Sequence, residues 1–199
     1  VAEGMRSLPT QWSFAEESAA KHGNSVDRKN WRIVMNWHIA ETRKEARLQA
    51  KEGLLRHNND YSVATLNPDE GTIYKSPDDA VDGVAFSENS TAVIGTPDDL
   101  IAKIKEMISI TGGFGCVIGF AHDWANRENT LKSWDLVARY VIPEINGLLD
   151  DYRESHEFVT NNRETWVRAR EAVMNKIESN ERSAEIMETQ GYEGEKSKS

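Results

Sequence analysis

Histidine and tryptophan come together twice in this chain, each time where an apolar run ends. Trp37 and His38 lie near the end of WRIVMNWHI, and His122 and Trp124 flank Asp123 just after FGCVIGF. Imidazole exchanges protons near neutral pH, and indole is a flat apolar wall with one N–H donor. The carboxyl ends of strands are where α/β folds place their ligands and catalytic groups. His38 and His122 are therefore candidates for moving protons, the alternative for each being a structural histidine. Trp37 and Trp124 are candidates for lining a binding site, the alternative being an aromatic wall of the core. Asp123 either orients a histidine or caps the next helix.

The elements that position these residues are legible in the spacing. Residues 92–124 read as helix, glycine turn, strand. Thr96 suits an N-cap, Pro97 the first helical position, and Asp98 and Asp99 the positive helix end. Leu100, Ile101, Ile104, Met107 and Ile108 then share one face at helical spacing until Gly112 and Gly113 stop the helix. The apolar run 114–120 predicts a strand covered on both faces, as in parallel sheets. Residues 31–39, rich in aromatic and β-branched side chains, predict a second strand. After it Thr42 and Glu45 predict a capping box opening a helix whose inner stripe is Ala46, Ala50, Gly53 and Leu54. Further helices are expected over 12–22 and 127–145. Residues 62–90, with Pro68, Gly71, Pro77 and Gly83 and little periodicity, read as a structureless insertion acting as a lid.

These assignments divide the chain into an α/β part, 1–147, and a charged helical tail, 148–199, whose last residues are expected to be disordered. The tail reads as a packing arm or an oligomer contact.

Composition narrows the function classes. The 199 residues carry 33 acidic against 24 basic side chains, a net charge of -9, which argues against nucleic acid or an anionic membrane as the main partner. No apolar run approaches the roughly 18 to 20 residues of a membrane span. The single cysteine, Cys116, excludes a disulfide framework, reads as a buried structural thiol and fits a reducing, cytoplasmic setting. Gly112, Gly113 and Gly115 precede a strand and lack a third phosphate-binding glycine, so they are a turn. The five histidines have no metal-ligand spacing, and there is no nucleophile elbow. The opening at Val1, within what reads as a loop, points to a piece of a longer protein.

The unit order is that of the closing strand-helix units of a (β/α)8 TIM barrel, although a whole barrel takes about 250 residues. GTPDDLIAKIKEMISITGGFGCVIGFAHDWANRENTLKSWDLVARYVIPEI resembles the last such unit of the bacterial luciferase-like, flavin-dependent monooxygenases. FAEESAAKHG and WRIVMNWHIAETRKEARLQAKEGL resemble the preceding units in the limonene-monooxygenase-like branch. The resemblance covers most of 11–145. It implies the last two barrel strands of an enzyme that uses reduced FMN, supplied by a separate flavin reductase, and O2 to oxidise a small, apolar organic substrate. The flavin would supply the oxygen chemistry, and the protein orientation and exclusion of water. It also implies that His38, His122, Trp37 and Trp124 face the flavin ring, that Arg6 and Ser7 hold the FMN phosphate, and that the full-length protein is a homo-oligomer. A deazaflavin-dependent oxidoreductase and a non-catalytic, truncated-barrel scaffold are the alternatives.

Overall fold

The computed structural model describes residues 4–66 and 73–189; the expected insertion residues Pro68 and Gly71 and the GYEGEKSKS terminus lie outside them. The chain divides into two compact units, Val1–Leu148 and Leu149–Ser199.

In the first unit, helix α1 (Leu8–Lys21) carries Pro9 in its first turn and buries Leu8 and Trp12. Strand β1 (Arg32–Ile39) follows, then α2 (Arg43–Arg56). Thr42 caps α2 by accepting from the Glu45 amide, and its hydroxyl meets the Glu45 carboxylate at 3.1 Å. The expected capping box is found instead at Thr96, where the Asp99 carboxylate accepts from the Thr96 amide at 2.9 Å while the Thr96 hydroxyl accepts from the Asp99 amide. That box opens α5 (Pro97–Thr111), which ends at Gly112 with φ of 74°, a left-handed conformation that glycine adopts without a Cβ clash.

Between α2 and α5 lie a π-helical turn (His57–Ser62), α3 (Val63–Leu66), α4 (Pro77–Ala85) and β2 (Val93–Gly95). The stretch read as structureless thus contains a capped helix: Ser76 accepts from the Asp79 amide, and Ala80 and Val81 are fully buried. Arg47 of α2 pins it at 2.8 Å to Asp78 and 2.7 Å to Asp82. Strand β3 (Cys116–Phe120), α6 (Arg127–Leu136), a second π turn (Val137–Val141) and α7 (Ile142–Ile145) complete the unit.

The sheet has the order β2-β1-β3 and is parallel throughout. Arg32 to Asn36 pair residue for residue with Cys116 to Phe120, while Trp37 to Ile39 pair with Val93 to Gly95. The sequence reading found β1 and β3 and missed β2, three residues being too few to carry a periodicity. Successive side chains in a strand alternate in direction. Ile33 and Met35 enter a core with Leu8, Leu100, Ile104, Met107 and Val141. The opposite face presents Val34, 45 % exposed, with its cross-strand neighbour Ile118, 41 %, and Phe120, 53 %. The expectation that β3 is covered on both faces is therefore corrected, and Cys116, expected to be buried, is exposed. An apolar run records which residues avoid water but not which element covers them.

Arg28 ties the amino-terminal side together, its guanidinium 5.0 Å from the Trp12 ring and hydrogen-bonded to the Thr111 carbonyl. Trp12 stacks on Trp31 at 5.4 Å. The second unit contains α8 (Asp150–Asn161), α9 (Arg163–Glu178) and α10 (Glu181–Thr189), and neither α8 nor α9 has a buried residue.

Met35 is wholly inaccessible on the central strand. Met35→Ala is predicted to cost about 2–5 kcal/mol of unfolding free energy, measured by urea denaturation; an unchanged midpoint would place β1 outside the core.

Candidate functional site

Beyond the carboxyl end of β3 the chain stays extended enough to put alternate residues on one side. The rings of Phe120, His122 and Trp124 form a column, with centroids 4.9 Å apart at 19° and then 5.1 Å apart at 11°. Trp124 anchors it: the residue is 3 % exposed in a second core of Ala46, Ala50, Leu54, Ala80 and Val81. The other end of the column, Phe120, lies on the open sheet face.

His122 is the polar member. Its Nε2 lies 3.0 Å from Oδ1 of Asn36, which pairs across the sheet with Phe120. A second imidazole faces it. His57, from the π turn after α2, has its ring centroid 4.4 Å from that of His122, and its Nδ1 is 3.9 Å from an Asp123 carboxylate oxygen. Tyr61, one turn on, is 5.3 Å from His57. Burial lowers the His122 pKa below the ordinary 6.5, the facing His57 lowers it further, and Asp123 opposes them. Sequence reading named His122, Asp123 and Trp124 but neither Asn36 nor His57. Asn36 could have been found, since alternation places it on the face of His38; His57 carried no signal until α2 brought it back over the strand ends.

His38 is placed separately, 3 % exposed, with Nε2 2.9 Å from Gln49 Oε1 of α2. Desolvation lowers its pKa below 6.5, and the Gln49 hydrogen bond only partly opposes this. Gln49 also lines a polar recess of about 340 Å³ with Glu41, Glu45, Asn129, Lys132 and Asp135. Trp37 points to the other face, where it packs against Trp134 at 4.9 Å in space left by Gly119. The indole N–H groups of Trp37 and Trp124 are buried and have no hydrogen-bond partner among the described residues. Arg6 pairs with Glu88 at 3.3 Å, and both side chains are largely exposed. The Ser7 hydroxyl donates to the Gly4 carbonyl at 3.1 Å. No hydrogen bond, ion pair or ring contact among the described residues joins Arg6 or Ser7 to either histidine.

No family model matches the chain. It is 33 % identical over 152 residues to 4-hydroxyprotoasukamycin monooxygenase of Streptomyces nodosus subsp. asukaensis, covering 76 % of this chain and 40 % of that protein. It is also 33 % identical over 144 residues to limonene 1,2-monooxygenase of Rhodococcus erythropolis, covering 72 % and 36 %. Among solved structures it resembles the oxygenating constituent of 3,6-diketocamphane monooxygenase of Pseudomonas putida, a type II Baeyer-Villiger monooxygenase in complex with FMN. The TM-score is 0.54 at 25 % identity, over 71 % of this chain and 41 % of that one. The chain is a relative of the luciferase-like, flavin-dependent monooxygenases. It spans about two fifths of the length of the relatives it matches.

As a luciferase-like chain it can be tested for fit to a flavin. The open face of Val34, Ile118 and Phe120, bordered by the His122 column, offers apolar area and flat ring edges suited to an isoalloxazine ring. For a phosphate the candidate cation is Arg6, whose exposed ion pair with Glu88 is of a kind that contributes little and is readily exchanged.

Both lowered histidines carry a sign. Their folded pKa values lie below the unfolded value near 6.5, so below that pH the unfolded chain takes up protons that the folded chain resists. Stability should therefore fall from about pH 7.5 to about pH 5.5, as read from urea midpoints, and His38→Gln should flatten the loss. Equal pH dependence in variant and parent would remove His38 as its source.

Proposed function

We propose that this chain is part of a flavin-dependent monooxygenase of the luciferase-like kind. In this reading its three parallel strands are the closing arc of a (β/α)8 barrel that uses reduced FMN from a separate reductase and O2. The observation that carries the proposal is the ring column beyond the carboxyl end of β3, with His57 of the π turn facing His122, in a chain whose relatives are named monooxygenases. The flavin supplies the oxygen chemistry when bound. The protein's own work is to orient it, exclude water and hold protons.

His122, neutral near pH 7 and half-buried, is the group proposed to accept or return a proton at Nδ1, since Nε2 is engaged by Asn36. His38, held by Gln49, is proposed as a second polar contact at the same barrel mouth. Trp124 backs His122, and Trp37 with Trp134 keeps the wall between sheet and helices dry. Arg6 and Ser7 are proposed to hold the flavin phosphate, with Glu88 giving up the guanidinium. Of the stretch read as a lid, α4 is proposed to border the mouth, held there by Arg47 and Lys51 of α2. The substrate class is a small apolar organic molecule, in keeping with the open apolar face, and the setting is cytoplasmic.

A second reading has support of its own. The exposed Val34, Ile118 and Phe120 and the helices α8 and α9, which bury nothing, suit a scaffold that associates through these surfaces, as in a homo-oligomer. Stopped-flow absorbance separates the two. With the chain in excess, air oxidation of reduced FMN should slow severalfold relative to free flavin, and His122→Ala should speed it again. Oxidation at the free-flavin rate would favour the scaffold.

A further inference from the structure

We propose that Asn36 and His57 are positioning residues for His122, the three forming a unit in which Asn36 sets the tautomer and the facing His57 ring disfavours a positive charge on His122. The inference rests on the reading of His122 as a proton acceptor. It adds two residues that the sequence reading did not name.

The tautomer follows from the donor inventory. An amide oxygen has only lone pairs, so at 3.0 Å from Asn36 Oδ1 the His122 Nε2 carries the hydrogen, leaving Nδ1 as the acceptor of the ring. Asn36 cannot drift from this post, because its backbone is held in register with Phe120 at the end of the β1–β3 ladder.

The charge follows from what faces the ring. The titratable groups that act on His122 are His57, from the π turn, and Asp123, from its own loop; Asn36, Phe120 and Trp124 complete its contacts and are uncharged. Two imidazolium rings with centroids 4.4 Å apart would repel in a half-buried site. Asp123 breaks the symmetry. Its carboxylate lies 3.9 Å from His57 Nδ1 and is 91 % exposed, whereas Nε2 of His122 meets only an amide. His57 and Tyr61 lie on one side of the π turn, their rings 5.3 Å apart, and such turns recur at functional sites.

The test is a histidine-labelled ¹⁵N titration of the 199-residue chain without flavin, with His122→Gln assigning the signal. The parent should show Nε2–H on His122 and a midpoint below 6.5. His57→Gln should raise the proton affinity of His122 by roughly threefold. Asp123→Asn, at an exposed position, should lower it, and Asn36→Ala should mix the tautomers. An Nδ1–H tautomer in the parent, or a His122 midpoint unmoved by His57→Gln, would overturn the proposal. A purely structural role for His57 leaves the His122 midpoint unmoved by His57→Gln. Because flavin is absent from the titration, its failure leaves the monooxygenase reading standing, and unprotected FMN in stopped flow leaves the histidine unit standing.

Discussion

The structure depends on one backbone ladder, the parallel pairing of Arg32–Asn36 with Cys116–Phe120. Parallel neighbours cannot be joined by a tight turn, so the chain must leave the sheet and return, here through α2, α4, β2 and α5. The candidate site hangs on the upper end of that ladder. It brings residue 36 beside residue 120, and with them His122, across eighty-odd positions of sequence. A shift of one residue would turn Asn36 towards the helices and leave His122 without its acceptor.

The same ladder explains why the sheet is two-faced. Helices α1 and α5 and the second π turn fill one side with large apolar residues, while the other side carries Val34, Ile118 and Phe120 in the open. The second core is built from small residues, Ala46, Ala50, Ala80 and Ala92, which let α2 and α4 approach closely. Ion pairs from Arg47 and Lys51 then border that contact. The residues after β3 therefore descend from an exposed face into a packed one within a few positions, and His122 sits at the crossing.

Much of this was legible in the sequence because it is local. Thr96, Pro97 and Gly112 mark the ends of α5 through caps and backbone conformation that need no partner, and the two apolar runs were expected as neighbouring parallel strands from the unit order and the family resemblance. What was not legible is what other segments decide. Cys116 lies in an apolar run yet is exposed, because β3 is at the sheet edge with one face open. Strand β2 is too short to announce itself. Trp37 was grouped with His38 by adjacency, although neighbours in a strand point to opposite faces, and here the ring meets Trp134. His57 reaches His122 only through the packing of α2.

One small residue governs how far the loop after β3 can descend. A Cβ on Gly53 would fall on the backbone carbonyls of Asp123 and Trp124, so the bare face of α2 acts as a seat for the loop. The height of that seat sets the tilt of the indole, and the indole in turn sets the plane of the imidazole stacked on it. The orientation of the His122 ring is thus fixed from the back of the molecule, by a helix position that has no chemistry of its own.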